Sequence, residues 1–358
     1  MIYYDFAMNN AHNLYIHVPF CMSKCNYCAF YSFACSAPNW QEYADNICDE
    51  LIFWSNKLGK IDVPTIFFGG GTPSLMPVSV FERIINCVNH YFCIEKDCEI
   101  TLESNPGTID GDKLYGFKQN GVNRLSVGVQ SLKDKELKFL GRRHDVKTAI
   151  NLLETATNMN LRVSADFIYG LPNQKVADVI DLCKDINELG LSHVSMYELT
   201  IEANTPFGKM NLKMPDNETM AQMYSAIPQY LSLPRYEVSN YAKAGQECRH
   251  NLNIWNGDAY IGIGRGGAGR VFFNGKWFEQ RGNNECFEQM SNDTRIIEKI
   301  LTGMRTMCGV KLSDDVKNKL DFNWINSHKD LVAIDGEYLH TSDAGLLILD
   351  DIMVDLIK

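Results

Sequence analysis

Three cysteines stand within eight residues near the start of the chain, and their spacing is the strongest chemical signal in the sequence. Cys21, Cys25 and Cys28 are separated by three residues and then by two. Thiolates this close in one loop can converge on a soft metal centre. Zinc usually takes four ligands in two pairs, and no second pair stands at zinc-ribbon distance. Three thiolates suit a four-iron, four-sulfur cubane with one iron open, and a zinc-binding module without redox chemistry is the alternative.

Polar residues and a glycine turn follow the ends of further apolar runs. They are Gly69–Pro73, Glu103, Gln130, Asp166 and the segment Glu198–Thr200. In a parallel barrel, functional side chains gather at the carboxyl ends of the strands. Each feature alone has an ordinary interpretation as a tight turn or a helix cap. Together they surround the thiol loop, which favours one shared site.

The elements that must position these residues alternate regularly from Leu14 to about Ile201. The strand-like runs are Tyr15–Val18, Thr65–Phe68, Glu99–Leu102, Arg124–Val129, Arg162–Ile168 and His193–Glu198. The amphipathic helical stretches between them are Trp40–Leu58, Val78–Phe92, Gly111–Asn120, Val146–Met159 and Val176–Leu189. This alternation predicts an α/β fold of βαβ units around a parallel sheet, either partly closed into a barrel or doubly wound.

The pattern changes after Pro206. The sequence predicts, in order, a helical stretch at Lys209–Leu233, a strand at Tyr236–Tyr241, a glycine-rich loop with short strands at Gly257–Gly275, a strand at Tyr338–His340 and a last helix at Ser342–Leu356. We therefore expect a barrel over residues 1–240, a glycine-rich connecting segment over 241–290, and a small α-rich, winged-helix-like module over 291–358.

Composition limits the possible functions. The 358 residues are 45 % hydrophobic and 22 % charged, as in an ordinary globular protein. The formal net charge of -10 argues against nucleic acid as a partner, because phosphate binding needs clustered Lys and Arg. No apolar run is long enough to span a membrane, and Met1–Asn13 lacks Lys and Arg, so we expect a cytoplasmic protein. Seven cysteines are predicted to be inert: Cys48, Cys87, Cys93, Cys98, Cys183, Cys286 and Cys308.

Three motifs resemble the radical S-adenosylmethionine (SAM) superfamily. They are Tyr15–Cys21 with the next two cysteines, Gly69–Pro73, and Asp166–Pro172. More narrowly, nearly the whole chain resembles the group of oxygen-independent coproporphyrinogen III oxidases. That resemblance implies a partial (β/α)6 barrel of the TIM type with a C-terminal helical module. It agrees with the six predicted strands.

The same resemblance implies the cofactors and their residues. Cys21, Cys25 and Cys28 would ligate a [4Fe-4S] cluster. SAM would be bound by Tyr15, Tyr27, Gly70, Gly71, Thr72, Glu103, Gln130, Arg142, Asp166 and Thr200. Glu103 is expected to hold a cationic or hydroxylated part of SAM. The glycine turn is expected to let the backbone approach its methionine moiety, since no Cβ intervenes.

Two branches of this group differ two residues after the third cysteine. The oxidases have a further cysteine there, whereas this chain has Phe30, as do heme chaperones of the HemW family. The segment His250–Trp255, followed by Gly262–Gly264, resembles the chaperones' His-Asn-x-x-Tyr-Trp motif. Ile254 replaces the motif's tyrosine, and Ala268 stands near the place of a family histidine.

The resemblance therefore implies a chaperone that binds heme and delivers it to acceptor hemoproteins, with peripheral membrane contact through those acceptors. Oxidative decarboxylation of porphyrinogen propionates is the alternative. His250 is the residue predicted to ligate or contact heme, with Trp255 as an apolar surface and Arg249 beside a propionate. The competing interpretation is that His250 only fastens a loop to the barrel. His17 and Cys248 are weaker candidates.

Overall fold

The computed structural model describes residues 11–281 and 286–358, and its centre is an eleven-stranded sheet. The first half of the barrel consists of β1 (Asn13–Val18), β2 (Phe20–Cys21), β3 (Phe33–Ala34), α1 (Trp40–Leu58), β4 (Asp62–Gly70), α2 (Val78–Tyr91), β5 (Cys93–Ser104) and α3 (Gly111–Gln119). The second half consists of β6 (Arg124–Gln130), α4 (Asp134–Leu140), α5 (Val146–Asn158), β7 (Arg162–Tyr169), α6 (Val176–Glu188) and β8 (His193–Glu198).

Six strands run parallel in chain order, β1-β4-β5-β6-β7-β8, which confirms the predicted α/β class and the six βα units. Every predicted strand and helix of this region lies on an observed one. The short helix α4 was not predicted. Its seven residues are too few to show a helical period, and Gly141 ends it in the left-handed conformation (φ 79°).

Alternation along the strands separates the core from the interior of the barrel. On β1, Leu14, Ile16 and Val18 are fully buried in the apolar core, which the surrounding helices complete. Tyr15 and His17 occupy the alternate positions and take part in the contacts of the barrel interior. This interior carries polar and charged side chains, whereas the core outside it is apolar.

After the barrel, the chain forms α7 (Asn217–Tyr230), β9 (Asn240–Ala242), α8 (Arg249–Trp255), β10 (Tyr260–Ile263), β11 (Ala268–Phe273), β12 (Lys276–Arg281) and β13 (Cys286–Gln289). The helix predicted at Lys209–Leu233 begins later, because Pro215 precedes it and Asp216 caps it by accepting from the backbone N–H of Thr219 (2.8 Å).

The segment 241–290 contributes strands to the main sheet. β10 pairs in parallel with β1, and β11 to β13 continue the sheet in antiparallel order, while β9 pairs with β8 at the other edge. Gly262 and Gly269 permit this pairing, since a Cβ on Gly269 would lie 2.7 Å from the Tyr260 carbonyl oxygen. The glycine-rich stretch is thus largely strand, and the segment boundaries at 240 and 290 stay predictions.

The C-terminal module has its own apolar core. Its elements are α9 (Asn292–Gly303), β14 (Val310–Lys311), α10 (Asp314–Lys319), α11 (Phe322–Ser327), β15 (Val332–Asp335), β16 (Tyr338–Thr341), α12 (Asp343–Leu346) and α13 (Leu349–Leu356). The strands form an antiparallel sheet in the order β14-β16-β15. The predicted last helix is divided in two where Ile348 leaves the helical region (φ -129°, ψ 32°), and beyond this break Leu349 and Ile352 lie in the core of the module.

The described cysteines are free thiols. Two sequence predictions fall outside the described part of the chain: the side chain of Cys286, and residues 1–10 of the N-terminal segment. Within residues 11–281 and 286–358, no helix has both the length and the apolarity needed to cross a membrane.

Candidate cluster and cofactor site

The three predicted cluster cysteines lie in one loop at the carboxyl end of β1. Cys21 ends β2 and is buried, while Cys25 and Cys28 are half-buried and joined by a turn from Cys28 N–H to the Cys25 carbonyl (3.3 Å). β2 and β3 hold the two ends of the loop together, and Cys35 N–H donates to the Cys21 carbonyl (2.9 Å). Burial raises the pKa of the Cys28 thiol, and the neighbouring thiols of Cys25 and Cys21 raise it further.

Asn26 fastens the middle of this loop to the barrel. Its backbone N–H donates to the Leu140 carbonyl (3.1 Å), and its side-chain amide donates to the Phe139 carbonyl (2.8 Å). Its own carbonyl accepts from Phe207 N–H (2.9 Å). The unpredicted helix α4 therefore positions the cysteines.

The chemistry of the donor set fits a cubane. A cubane takes each cysteine thiolate at a different iron and leaves the fourth iron open. Three soft thiols in one anchored loop match that requirement.

The glycine turn after β4 packs against the start of this loop. A Cβ on Gly70, which has φ +111°, would lie 2.5 Å from the His17 ring. A Cβ on Gly71 would lie 2.7 Å from the Phe20 carbonyl oxygen. The structure thus gives a reason for these glycines other than the predicted approach of a ligand to bare backbone: they let β4 end directly against the cluster loop.

A chain of hydrogen bonds runs from this turn to a cluster cysteine. The buried Thr72 hydroxyl accepts from the Asn105 side-chain amide (2.9 Å), and Asn105 Oδ1 accepts from Arg142. Arg142 also donates to the Gly128 carbonyl (2.6 Å) and lies 3.5 Å from Cys25 Sγ. Thr72 and Arg142 were predicted from the family resemblance. Asn105 was missed, although it follows Glu103 at the same strand end.

Two predicted carboxylates, Glu103 and Asp166, lie in the barrel interior, near enough for the charge of one to act on the other. Glu103 accepts from Gly70 N–H (3.0 Å), and Asp166 accepts from the hydroxyls of Ser126 (2.9 Å) and Ser164 (3.2 Å). Burial, with the charge of Asp166, raises the pKa of Glu103 to about 7. Burial also raises the pKa of Asp166, against its serine donors. The positive charge of a ligand bound here would lower the pKa of Glu103 and favour its carboxylate form.

Tyr15 and His17 connect the barrel interior to the cluster loop. His17 Nε2 must donate to the Tyr31 carbonyl (2.8 Å), because a carbonyl only accepts. Burial lowers the pKa of His17, so the neutral ring then accepts at Nδ1 from the Tyr15 hydroxyl (3.0 Å). A Cβ on Gly266 would lie 2.6 Å from the Tyr31 ring, which brings the turn before β11 onto the same loop.

The remaining predicted SAM residues differ in placement. Tyr27 is half-buried beside Arg142; burial raises its pKa, and the Arg142 charge opposes that rise. Gln130 ends β6 in the left-handed region (φ 71°), a strained position for a residue with a side chain. Thr200 follows β8 as an exposed residue and is not joined to the others by a described contact.

His250 lies within a buried network centred on Thr65, apart from the cluster loop. The Thr65 hydroxyl donates to Asn13 Oδ1 (2.7 Å), so His250 Nδ1 carries the proton and donates to Thr65 (2.7 Å). The ring stacks on Phe67 with centroids 5.0 Å apart and is 2 % exposed. Burial lowers the pKa of His250 to about 4. These contacts favour the loop-fastening interpretation, and ligation of heme by His250 stays a prediction.

Glu99 organises the same end of the barrel and was not predicted. It is 2 % exposed, pairs with Arg162 (2.8 Å), and accepts from the backbone N–H groups of Arg249 (3.1 Å) and His250 (3.0 Å). Burial would raise its pKa, but Arg124, Arg162 and the two backbone donors hold that pKa below its usual value. Glu99 therefore caps α8 and holds it against the barrel.

Phe30 occupies the place of the oxidases' fourth cysteine. Its ring is 69 % exposed, and the carbonyl accepts from Lys24 Nζ (3.0 Å). The side chain thus projects from the cluster loop towards solvent.

Comparison with known proteins places the chain in a family. The model of the Radical SAM superfamily matches residues 15–186. The heme chaperone HemW of Escherichia coli is 38 % identical over 267 residues, which cover 73 % of this chain and 70 % of that protein. HemW of Bacillus subtilis is 30 % identical over 362 residues, covering 93 % and 94 %.

A solved structure agrees in fold. Coproporphyrinogen III oxidase from Escherichia coli, a radical SAM enzyme, matches with a TM-score of 0.80 at 18 % identity, covering 97 % of this chain and 89 % of that one. The fold of the barrel and of its C-terminal module is therefore shared with that enzyme, while the sequence relationship is with the chaperones. This chain belongs to the radical SAM superfamily and, within it, to the HemW family.

Proposed function

We propose that this protein is a heme chaperone that binds a [4Fe-4S] cluster, SAM and heme, and passes heme to acceptor hemoproteins. The observation that carries the proposal is Phe30, which replaces the fourth cysteine and is exposed beside the cluster loop. Kinship with the HemW chaperones supports it.

The chain's own residues divide the work at the cofactor site. Cys21, Cys25 and Cys28 would hold the cluster, and the Asn26 anchor keeps their loop fixed on α4. A cluster held by these residues would supply one-electron reduction of the SAM sulfonium. Glu103 would bind the cationic part of SAM, since its deprotonated form gains most from a nearby positive charge.

Arg142 contributes positive charge to the candidate cluster and cofactor site. Its guanidinium lies between Asn105 and Cys25 Sγ, where its positive charge faces the loop that would hold the cluster. A cavity of about 240 Å³ opens beside it, lined by residues that include Cys25, Thr72 and Asn105. This cavity lies beside the cluster loop and is open to a small ligand.

The test compares the two activities of the wider group in one preparation. The full chain, reconstituted anaerobically with iron and sulfide, is titrated with hemin and, with SAM, a reductant and an electron acceptor supplied, assayed separately for oxidative decarboxylation of coproporphyrinogen III. We expect saturable heme binding, seen as a Soret shift, and no vinyl product. Decarboxylation without heme binding would reject the chaperone function in favour of an oxidase.

A further inference from the structure

An open groove of about 500 Å³ lies where α8 meets α9 and α13. That volume is within the range of about 300–1,000 Å³ typical of small-molecule sites. The groove is lined by Trp255, Leu301, Thr302, Arg305, Leu349, Asp350, Met353 and Val354. It is separate from the cavity beside the cluster loop, with which it shares no lining residue.

The walls of this groove are mostly apolar, and part of that surface faces solvent. Val354 is 77 % exposed and Leu301 is 38 % exposed, while Leu349 and Met353 form buried parts of the wall. Apolar side chains gathered around a concavity in this way mark a binding surface more often than isolated exposed residues do. Met353 adds a polarizable thioether, which is a donor that heme iron accepts in proteins.

Two N–H donors at this apolar groove, one on Arg305 and one on Trp255, have no acceptor in the described part of the chain. The Arg305 guanidinium lies 5.2 Å from the centre of the Trp255 ring. Arg305 Nε and Trp255 Nε1 are buried and have no hydrogen-bond partner among residues 11–281 and 286–358. Asp350 forms an ion pair with Arg305 at 4.0 Å and is 98 % exposed, and the charge of Arg305 also acts on the buried carboxyl of Glu237. An exposed pair at that distance is weak, so a ligand carboxylate can replace it.

We propose that this groove binds heme. The flat porphyrin would lie against Trp255, Leu349 and Met353, with one propionate at Arg305 and the other edge open to solvent. A planar apolar molecule with carboxylates at one edge matches both the apolar walls and the local positive charge, in a chain whose net charge of -10 would otherwise repel it. The inference rests on the proposed chaperone function and adds its binding site.

A heme site in this groove assigns different roles to the two ends of the segment His250–Trp255. α8 has His250 at its first turn, inside the barrel, and Trp255 at its last residue, in the groove. The short helix α8 thus connects the buried network around Thr65 with the proposed heme site. Trp255 is the part of the motif that contacts heme, and His250 positions the helix.

The experiment is hemin titration of the full-length protein and four variants. Val354→Glu places a carboxylate at an exposed position of the groove and should weaken heme binding at least about tenfold. Arg305→Gln removes a charge-assisted hydrogen bond and should weaken binding roughly ten- to a hundredfold. Asp350→Asn should tighten binding. Ile334→Glu is the matched control, because Ile334 is 45 % exposed in the same module and does not line the groove.

The outcomes separate this inference from the proposed function. If the wild-type protein binds heme and both Val354→Glu and Arg305→Gln bind it equally tightly, heme lies elsewhere and the groove assignment is wrong, while the chaperone function stands. If the wild-type protein binds no heme, the proposed function itself fails. If Val354→Glu instead converts a dimer to a monomer with unchanged heme affinity, the groove is an interface between copies, which also overturns the inference.

Discussion

Individual residues in the cofactor site do more than their motifs indicate. Gly70 belongs to a motif associated with SAM, yet its missing Cβ makes room for His17, which in turn supports Tyr31 of the cluster loop. A substitution at Gly70 would therefore disturb the cluster loop together with SAM binding. Glu103 and the cysteines are better probes, because their replacement removes one chemical group from the site.

Cys25→Ser should abolish the four-iron cluster, because a hydroxyl is a poor substitute for a soft thiolate. Iron and sulfide content and the visible absorption of the anaerobically reconstituted protein measure this. Cys35→Ser is the matched control: Cys35 contacts the loop through its backbone N–H, so its replacement should leave the cluster intact. A full complement of iron and sulfide in Cys25→Ser would show that the ligands are misassigned.

Glu103→Gln should weaken SAM binding roughly ten- to a hundredfold and flatten its pH dependence. In the wild-type protein the Glu103 pKa is raised to about 7, so the carboxylate that attracts a cation becomes more populated as pH rises from 6 to 8. SAM affinity should therefore rise over that interval. Equilibrium dialysis measures the SAM affinity of both proteins at each pH. Because SAM titrates in the same way in both experiments, the difference between the two pH curves reports the titration of Glu103.

The control for this comparison is Glu42→Gln, on the exposed first turn of α1. Its affinity for SAM should follow that of the wild-type protein at each pH. Parallel pH curves for wild type and Glu103→Gln would remove Glu103 from the SAM site.

At the scale of elements, α8 is held in place by a carboxylate that the sequence does not reveal. Glu99 belongs to an ordinary strand pattern, and its partners Arg162 and Arg249 are distant in sequence. Only the assembled barrel brings them together. The same holds for Asn26, whose hydrogen bonds depend on α4, a helix too short to predict.

Glu99→Ala should lower the free energy of unfolding by about 3–5 kcal/mol, because it leaves Arg162 and two backbone donors without their partner. Denaturant titration followed by circular dichroism measures the change. Glu95→Ala is the control: Glu95 is partly exposed and lies 4.0 Å from Arg249, so its loss should cost less than about 1 kcal/mol.

The pH dependence of the free energy of unfolding tests the same contribution of Glu99. Because the Glu99 pKa is lower in the folded protein than in the unfolded chain, its contribution is present above pH 4.5 and is lost as pH falls. Glu99→Ala should remove that part of the acid sensitivity. Equal stability losses for Glu99→Ala and Glu95→Ala would show that the buried pair does not hold α8.

Across the whole molecule, the sequence predicts the parallel barrel more completely than the strands β10 to β13 or the placement of the C-terminal module. The parallel strands carry β-branched or aromatic runs and are separated by amphipathic helices, so the pattern is local. β10 to β13 are antiparallel or glycine-containing and extend the same sheet, which no local pattern indicates. The groove between α8, α9 and α13 depends on how the module sits on the barrel, and so it emerges only from the structure.

The central claim is that the protein carries heme to other proteins. The most direct measurement mixes the heme-loaded full chain with an apo-hemoprotein and follows the Soret band of each species. We predict that heme leaves this protein for the acceptor, and that coproporphyrinogen III keeps its propionates in the same preparation supplied with SAM, a reductant and an electron acceptor. Failure to bind heme or to release it to the acceptor would contradict the account, and so would conversion of two of those propionates to vinyl groups.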